Sequence, residues 1–228
     1  MSHPLHGQRP AVARALGTVM VLAAAVLLAA CGGGLRSDAP AVQAWALDPP
    51  AAAPAGEAAT PHAEAEGVAR PRATTATLRV LRPLATPALD TDRIALRHAD
   101  RTLDYYAANR WAGRVPELVQ GLVLDTLRAA GSYRAVQPEG APFSYDETLQ
   151  VEVRDFQAEY AAAAAPVIKV TLVCTLGRRS DRAVLATFTL AGSSAAADNR
   201  MHAIVTAFNA ALDAALAALP ERIAAAER

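Results

Sequence analysis

Three consecutive apolar segments, Thr148–Tyr160, Val167–Leu176 and Ala183–Ala191, constrain the fold of this chain more than anything else in it. The first carries Leu149, Val151 and Val153 in alternation, with Phe156 less cleanly in phase. Such alternation sends apolar side chains to one face of a strand. The second is β-branched and continuous, which predicts a strand buried on both faces. The third returns through a turn at Gly177–Asp181 as a hairpin partner. Earlier strands are expected at Thr77–Leu84, stopping at Pro83, at Arg93–His98, and at Thr102–Tyr106 across a tight turn at Ala99–Arg101. A short strand is expected at Tyr133–Val136.

Helical spacing occurs twice. Leu118, Val119, Leu122, Val123 and Leu127 form a stripe within Pro116–Ala130, with Pro116 and Glu117 suited to the first turn and Gly131 to the C-cap. Ile204, Phe208, Leu212 and Leu216 recur every four residues in a helix expected from Asp198 to Ala217, with Pro220 ending or kinking it. Strands, helix, strands, helix is the order of an α+β domain. We expect a mainly antiparallel sheet with two helices packed on one face.

The N-terminus is of another kind. Arg9 and Arg14 precede an apolar run, Ala15–Ala30, which is shorter than the ~20 residues that span a bilayer and reads as a cleaved export signal. It ends in Leu28-Ala29-Ala30-Cys31, which resembles the lipobox of bacterial lipoproteins. That resemblance implies cleavage before Cys31, a diacylglycerol on its sulfur and an acyl chain such as palmitate on the new N-terminus. Two or three chains make a stable anchor where one does not. Gly32 stands where aspartate would mark inner-membrane retention, which favours the outer membrane, facing the periplasm.

The mature chain then has one remaining cysteine, Cys174, so no intramolecular disulfide staples the domain. Cys174 lies in an apolar run and is expected to be a small buried hydrophobe. The whole chain balances 22 basic against 22 acidic residues, and cleavage removes two arginines and no acid. No basic block recruits nucleic acid. Lys169 is the sole lysine, and alanine is abundant, a pattern expected of a GC-rich genome.

Residues 31–43 read as a tether. Residues 44–49 read as a first strand around Trp45, unless Trp45 belongs to one long tether. Residues 50–75, alanine, proline and glutamate with little to bury, read as a disordered insertion. The domain proper is expected over 76–220, with a tail at 221–228.

Catalytic sets are missing from this pattern. The mature chain holds His62, His98 and His202, and no Gly-x-Ser-x-Gly, His-Glu-x-x-His, Cys-x-x-Cys or phosphate-binding glycine loop occurs. No metal, cofactor or enzymatic activity is expected, and the chain is expected to work by binding. The densest candidate is Leu103–Pro116, where Tyr105, Tyr106 and Trp111 lie beside Arg110 and Arg114. Aromatics next to arginine are the composition of binding hot spots, so Tyr105, Tyr106, Arg110 and Trp111 are partner-binding candidates. The favoured role is nonetheless mainly structural, with one tyrosine in the core, one exposed, and Trp111 in the core or at its rim.

Arg93-Ile94-Ala95-Leu96, Asp104-Tyr105-Tyr106, Arg110-Trp111 and Pro116, with Ala207–Leu212 and the Trp45–Leu47 strand, resemble the auxiliary lipoproteins of ABC-type transport systems. The Pqi-pathway lipoprotein is one member. The resemblance implies an outer-membrane-anchored periplasmic accessory protein that associates with an MCE-domain protein, and through it with an ABC permease and ATPase, in lipid transport. Some members form homo-oligomeric rings, and the family has no catalytic residues to carry over. A regulator of a cell-wall synthase is the alternative. It would need a long reach, ~140 Å for Gly32–Thr75 fully extended, against ~40 Å for Gly32–Ala44 if Trp45 is fixed in the sheet.

Overall fold

The computed structural model describes residues 41–49, 74–161 and 165–227. The signal peptide, Cys31, most of the tether and nearly all of the insertion lie outside the described residues. What is described belongs to one compact unit, Ala41–Arg228.

Nine strands form one sheet: β1 (Gln43–Trp45), β2 (Thr74–Val80), β3 (Leu84–Ala85), β4 (Arg93–Arg97), β5 (Leu103–Trp111), β6 (Tyr133–Pro138), β7 (Glu147–Glu159), β8 (Val167–Arg178) and β9 (Val184–Ala195). The helices are α1 (Val115–Ala130), α2 (Met201–Leu216) and α3 (Leu219–Ala226). The fold is α+β with a mainly antiparallel sheet, as the element order predicts.

β7 organises the sheet. One edge pairs antiparallel with β8 along its whole length, and β8 pairs likewise with β9. The other edge is shared by three short parallel partners in succession: β2 beside Glu147–Leu149, β3 beside Glu152–Val153, and β4 beside Ala158–Glu159. β6 adds to β2 in parallel, β5 to β4 antiparallel, and β1 to β5 in parallel.

The imperfect phase of Phe156 has a physical cause. The register between β7 and β8 shifts between Val153 and Asp155, so one extra residue, Arg154, bulges outward. Leu149, Val151 and Val153 before the bulge, and Phe156 and Ala158 after it, are therefore all buried. β8 departs from expectation. Ile168, Val170, Leu172, Cys174 and Leu176 are fully buried, but Val167, Lys169, Thr171, Val173 and Thr175 are half-buried or exposed. Its β-branched residues on the outer face fit a pleated, half-buried surface without lying in a core.

The helices cover the buried face. α1 packs on β2 and β6, ends at Gly131 in the left-handed conformation (φ 64°), and its Gln120 donates to the Val80 carbonyl at 3.1 Å. α2 packs on β8 and β9 through Ile204, Phe208, Ala211, Leu212 and Ala215. Pro220 opens a third helix, and residues 221–226, expected as tail, belong to it. Leu219 and Ile223 of α3 are buried between α1 and β9.

Gly192 on β9 shows how closely α2 approaches. A Cβ there would lie 1.9 Å from the Ala211 carbonyl oxygen and 2.8 Å from the Ala215 nitrogen. Both obstacles are backbone, so no rotamer relieves the clash. Gly192→Ala is expected to cost about 3 kcal/mol, the upper part of the usual overpacking range, measured by chemical denaturation.

Candidate functional site

β5 is longer than its sequence signals, and its irregular middle carries the candidate residues. Ala95 pairs with Tyr105 but Arg93 pairs with Arg110, so β5 loops out between these positions, with Ala108 at φ 55°. The Tyr105 hydroxyl donates to the Ala88 carbonyl at 3.0 Å, and its ring lies 3.7 Å below the Arg93 guanidinium. The Tyr106 hydroxyl lies 2.9 Å from that of Tyr160, which in turn donates to Asn199. Both tyrosines are half-buried and pack against the core, so the expected division into one core and one exposed tyrosine is corrected. Burial and the Tyr160 hydroxyl both hold the Tyr106 hydroxyl protonated.

Trp111 is 1% exposed. Its ring meets Phe156 edge-on at 5.8 Å and Phe208 at 5.0 Å, tying β5, β7 and α2 together. Arg110 stands at the surface, 3.6 Å from Asp92. The structure thus separates the four candidates: Arg110 is solvent-facing, the tyrosines are partly so, and Trp111 is core.

The bulge also receives the start of the described chain. β1 lies on the free edge of β5, with Gln43 opposite Asn109 and Trp45 opposite Trp111. The Trp45 indole N–H donates to the Asn109 side chain at 2.8 Å, and the Ala112 N–H donates to the Trp45 carbonyl at 2.7 Å. Three residues on, Asp48 and Asn209 of α2 exchange two hydrogen bonds, both at 3.1 Å. Trp45 is therefore part of the sheet. Sequence reasoning missed Asn109 and did not single out Asn209. Each is one polar residue in a helix or strand pattern, without a motif around it. Asn109→Ala is expected to loosen this strap by about 1 kcal/mol, giving roughly fivefold faster chymotrypsin cleavage after Trp45 or Leu47, read by limited proteolysis.

Other titratable groups are held in ways that suit structure better than catalysis. Two hydrogen bonds from Thr102 hold Asp100 below the usual carboxylate range, at the rim of an open cleft of about 850 Å³ lined also by His98, Tyr160 and Asn199. Burial pushes the Cys174 thiol up to about 12, well away from thiolate chemistry. Among the described residues, no three His, Cys, Asp or Glu side chains group as a metal site.

Glu147 is buried at the start of β7 and accepts a hydrogen bond from the Tyr133 hydroxyl at 2.8 Å. Burial raises its pKa above 4.5; Glu227 and Asp146 add to the rise, while Tyr133 and Arg178 oppose it. The folded state then holds this proton more tightly than the unfolded state does. The associated stability is present at low pH and is lost as pH rises through the folded pKa. Glu147→Gln is expected to flatten the fall of the denaturation midpoint above about pH 4.5, measured by urea titrations across pH.

Among solved structures, protein XCC0632 from Xanthomonas campestris is similar, with 22% identity and a TM-score of 0.68. The match covers 81% of this chain and 96% of that one. A second solved structure, described as an uncharacterized protein, shares 13% identity over 68% of this chain and 96% of that one, with a TM-score of 0.56. Both likenesses are of fold. Among proteins with curated descriptions, none matches. The family model for the ABC-type transport auxiliary lipoprotein component matches residues 60–224, a stretch that contains every element from β2 to α2 and the greater part of α3. The chain belongs to the ABC-type transport auxiliary lipoprotein family.

Proposed function

We propose that this protein is an outer-membrane-anchored periplasmic accessory component of an MCE-linked ABC system for lipid transport, acting by binding partner proteins. Cys31 carries the lipid anchor. Tyr105, Tyr106 and Arg110, on and beside the β5 bulge, offer the surface for an MCE-domain partner that connects to the permease and ATPase. Trp111 holds that surface from below.

The observation that carries this reading is the strap. With Trp45 bonded to Asn109 and Asp48 to Asn209, the chain between the anchor and the fold is short. Gly32–Ala44 extends to ~40 Å at most, which supports a domain working close to its membrane. A cell-wall synthase regulator needs the longer reach, so the strap counts against that alternative. Affinity capture of the native lipoprotein from membranes is expected to recover an MCE protein with its permease or ATPase. Recovery of none of them overturns the proposal.

A further inference from the structure

The tip of the β8–β9 hairpin and the loop leading into β7 enclose a cleft of about 1020 Å³ that the function proposed above does not use. Strand register brings its parts together: Glu147 lies opposite Arg178 and Leu78, and Gly177 lies opposite Val184. Tyr145 in its wall carries two cations, with the Arg79 guanidinium 3.8 Å and that of Arg179 5.0 Å from the ring centre. Arg79 also donates to the Ala141 and Phe143 carbonyls, at 2.9 and 2.7 Å, which fixes the loop bearing Phe143 beside the cleft.

The acids nearby are occupied elsewhere. The Asp146 carboxylate accepts the Thr77 N–H at 2.7 Å, Glu147 accepts from Tyr133, and Asp181 pairs with Arg178 at 3.4 Å. Among the described residues Arg79, Arg179 and Arg182 make no ion pair. Phe143, 73% exposed, and Val184, 65% exposed, are the most exposed large apolar side chains among the described residues. Both stand at this end of the molecule. Unneutralised guanidinium groups favour phosphate oxygens. Apolar side chains standing clear of the fold beside them gain from entering a headgroup layer.

We propose that this end of the domain docks on an anionic phospholipid surface, with Arg179 and Arg182 meeting lipid phosphates and Phe143 and Val184 entering the headgroup layer. An acidic protein would satisfy the arginines but leaves the protruding Phe143 without a role. A membrane satisfies both, and a member of a lipoprotein family has one within reach. The docking end is not where the strap joins: β1 lies beside the half of the sheet where β7 ends, and the cleft opens where β7 begins. Docking requires no transport partner, so it stands or falls separately from the affinity-capture result.

The test uses the mature chain with Cys31→Ser, so that no acyl chain holds it to lipid. Co-sedimentation is measured with vesicles of phosphatidylglycerol and phosphatidylcholine in equal parts, and with vesicles of phosphatidylcholine alone. Binding at least tenfold tighter to the anionic vesicles, and weakening with salt, is expected. Arg179→Ala with Arg182→Asn, the asparagine chosen because residue 182 has φ 58°, is expected to lose roughly 25-fold, about fivefold per arginine. Phe143→Ser, at an exposed loop position where folding does not depend on the side chain, is expected to lose several-fold. Equal binding to both vesicle types, or anionic binding that neither variant weakens, overturns the proposal. So does displacement by millimolar glycerol 3-phosphate, which would assign the cleft to a small phosphate ester.

Discussion

Trp111→Ala is expected to destabilise the domain by about 4 kcal/mol, within the range for removing a large aromatic from a packed core. The ring is sealed between Phe156 and Phe208, which also meet each other at 5.2 Å, so its loss opens a cavity that two neighbouring aromatics border. Each such pair adds about 0.5–1.5 kcal/mol beyond area burial. One feature works in the opposite direction: the Trp111 indole N–H is buried without a hydrogen-bond partner. An unsatisfied buried donor costs about 1–3 kcal/mol. Trp111→Phe removes that donor while keeping most of the ring, and is expected to fall within about 1 kcal/mol of the parent. Urea denaturation of both variants distinguishes a core residue from a partner contact. A residue that contacted only the partner would give two variants of parental stability and reduced capture.

Cys31→Ala, under the proposed function, is expected to leave the domain folded and to abolish transport in cells. The anchor supplies about 0.8 kcal/mol of membrane attachment per buried CH₂. Its removal therefore changes where the domain is while leaving its structure intact. Working beside a membrane complex is a matter of effective concentration, which a linker of ~40 Å keeps high and a freely diffusing domain does not. The measurement pairs a thermal melt of the purified variant with a transport assay in cells lacking the native copy. An unchanged melt with lost transport is the expected pair. Full transport by the unlipidated form overturns the anchor's part in the mechanism.

Much of this fold is legible where periodicity is strong and local. The Leu118–Leu127 stripe with Gly131, and the alternation through Val151, give elements within a residue or two of those observed. What escaped depends on tertiary partners. β5 runs to Trp111 because β1 and β4 pair with it on either side of a bulge, and neither its pattern nor its residue types announce that. Val167–Leu176 misled because valine and threonine satisfy a pleated surface whether or not it is covered. The alanines read as genomic bias also have a structural use: Ala211 and Ala215 bring α2 down onto Gly192. In the candidate site, Tyr105, Tyr106, Arg110 and Trp111 stood out by composition. Asn109, which holds the strap, did not, because a single asparagine gains meaning from the Trp45 that reaches it across 64 residues.

The central place of β7 has a consequence for how the chain acquires its structure. β2, β3 and β4 all precede β7 in sequence, and none of them pairs with another of the three. A chain that has emerged only as far as residue 146 holds the β4–β5 hairpin, α1 and the short β2–β6 pair, with no strand to join them into one core. Contacts of this sequence separation make for slow, late folding. The N-terminal half therefore gains a single core only once the strand that unites it has been made.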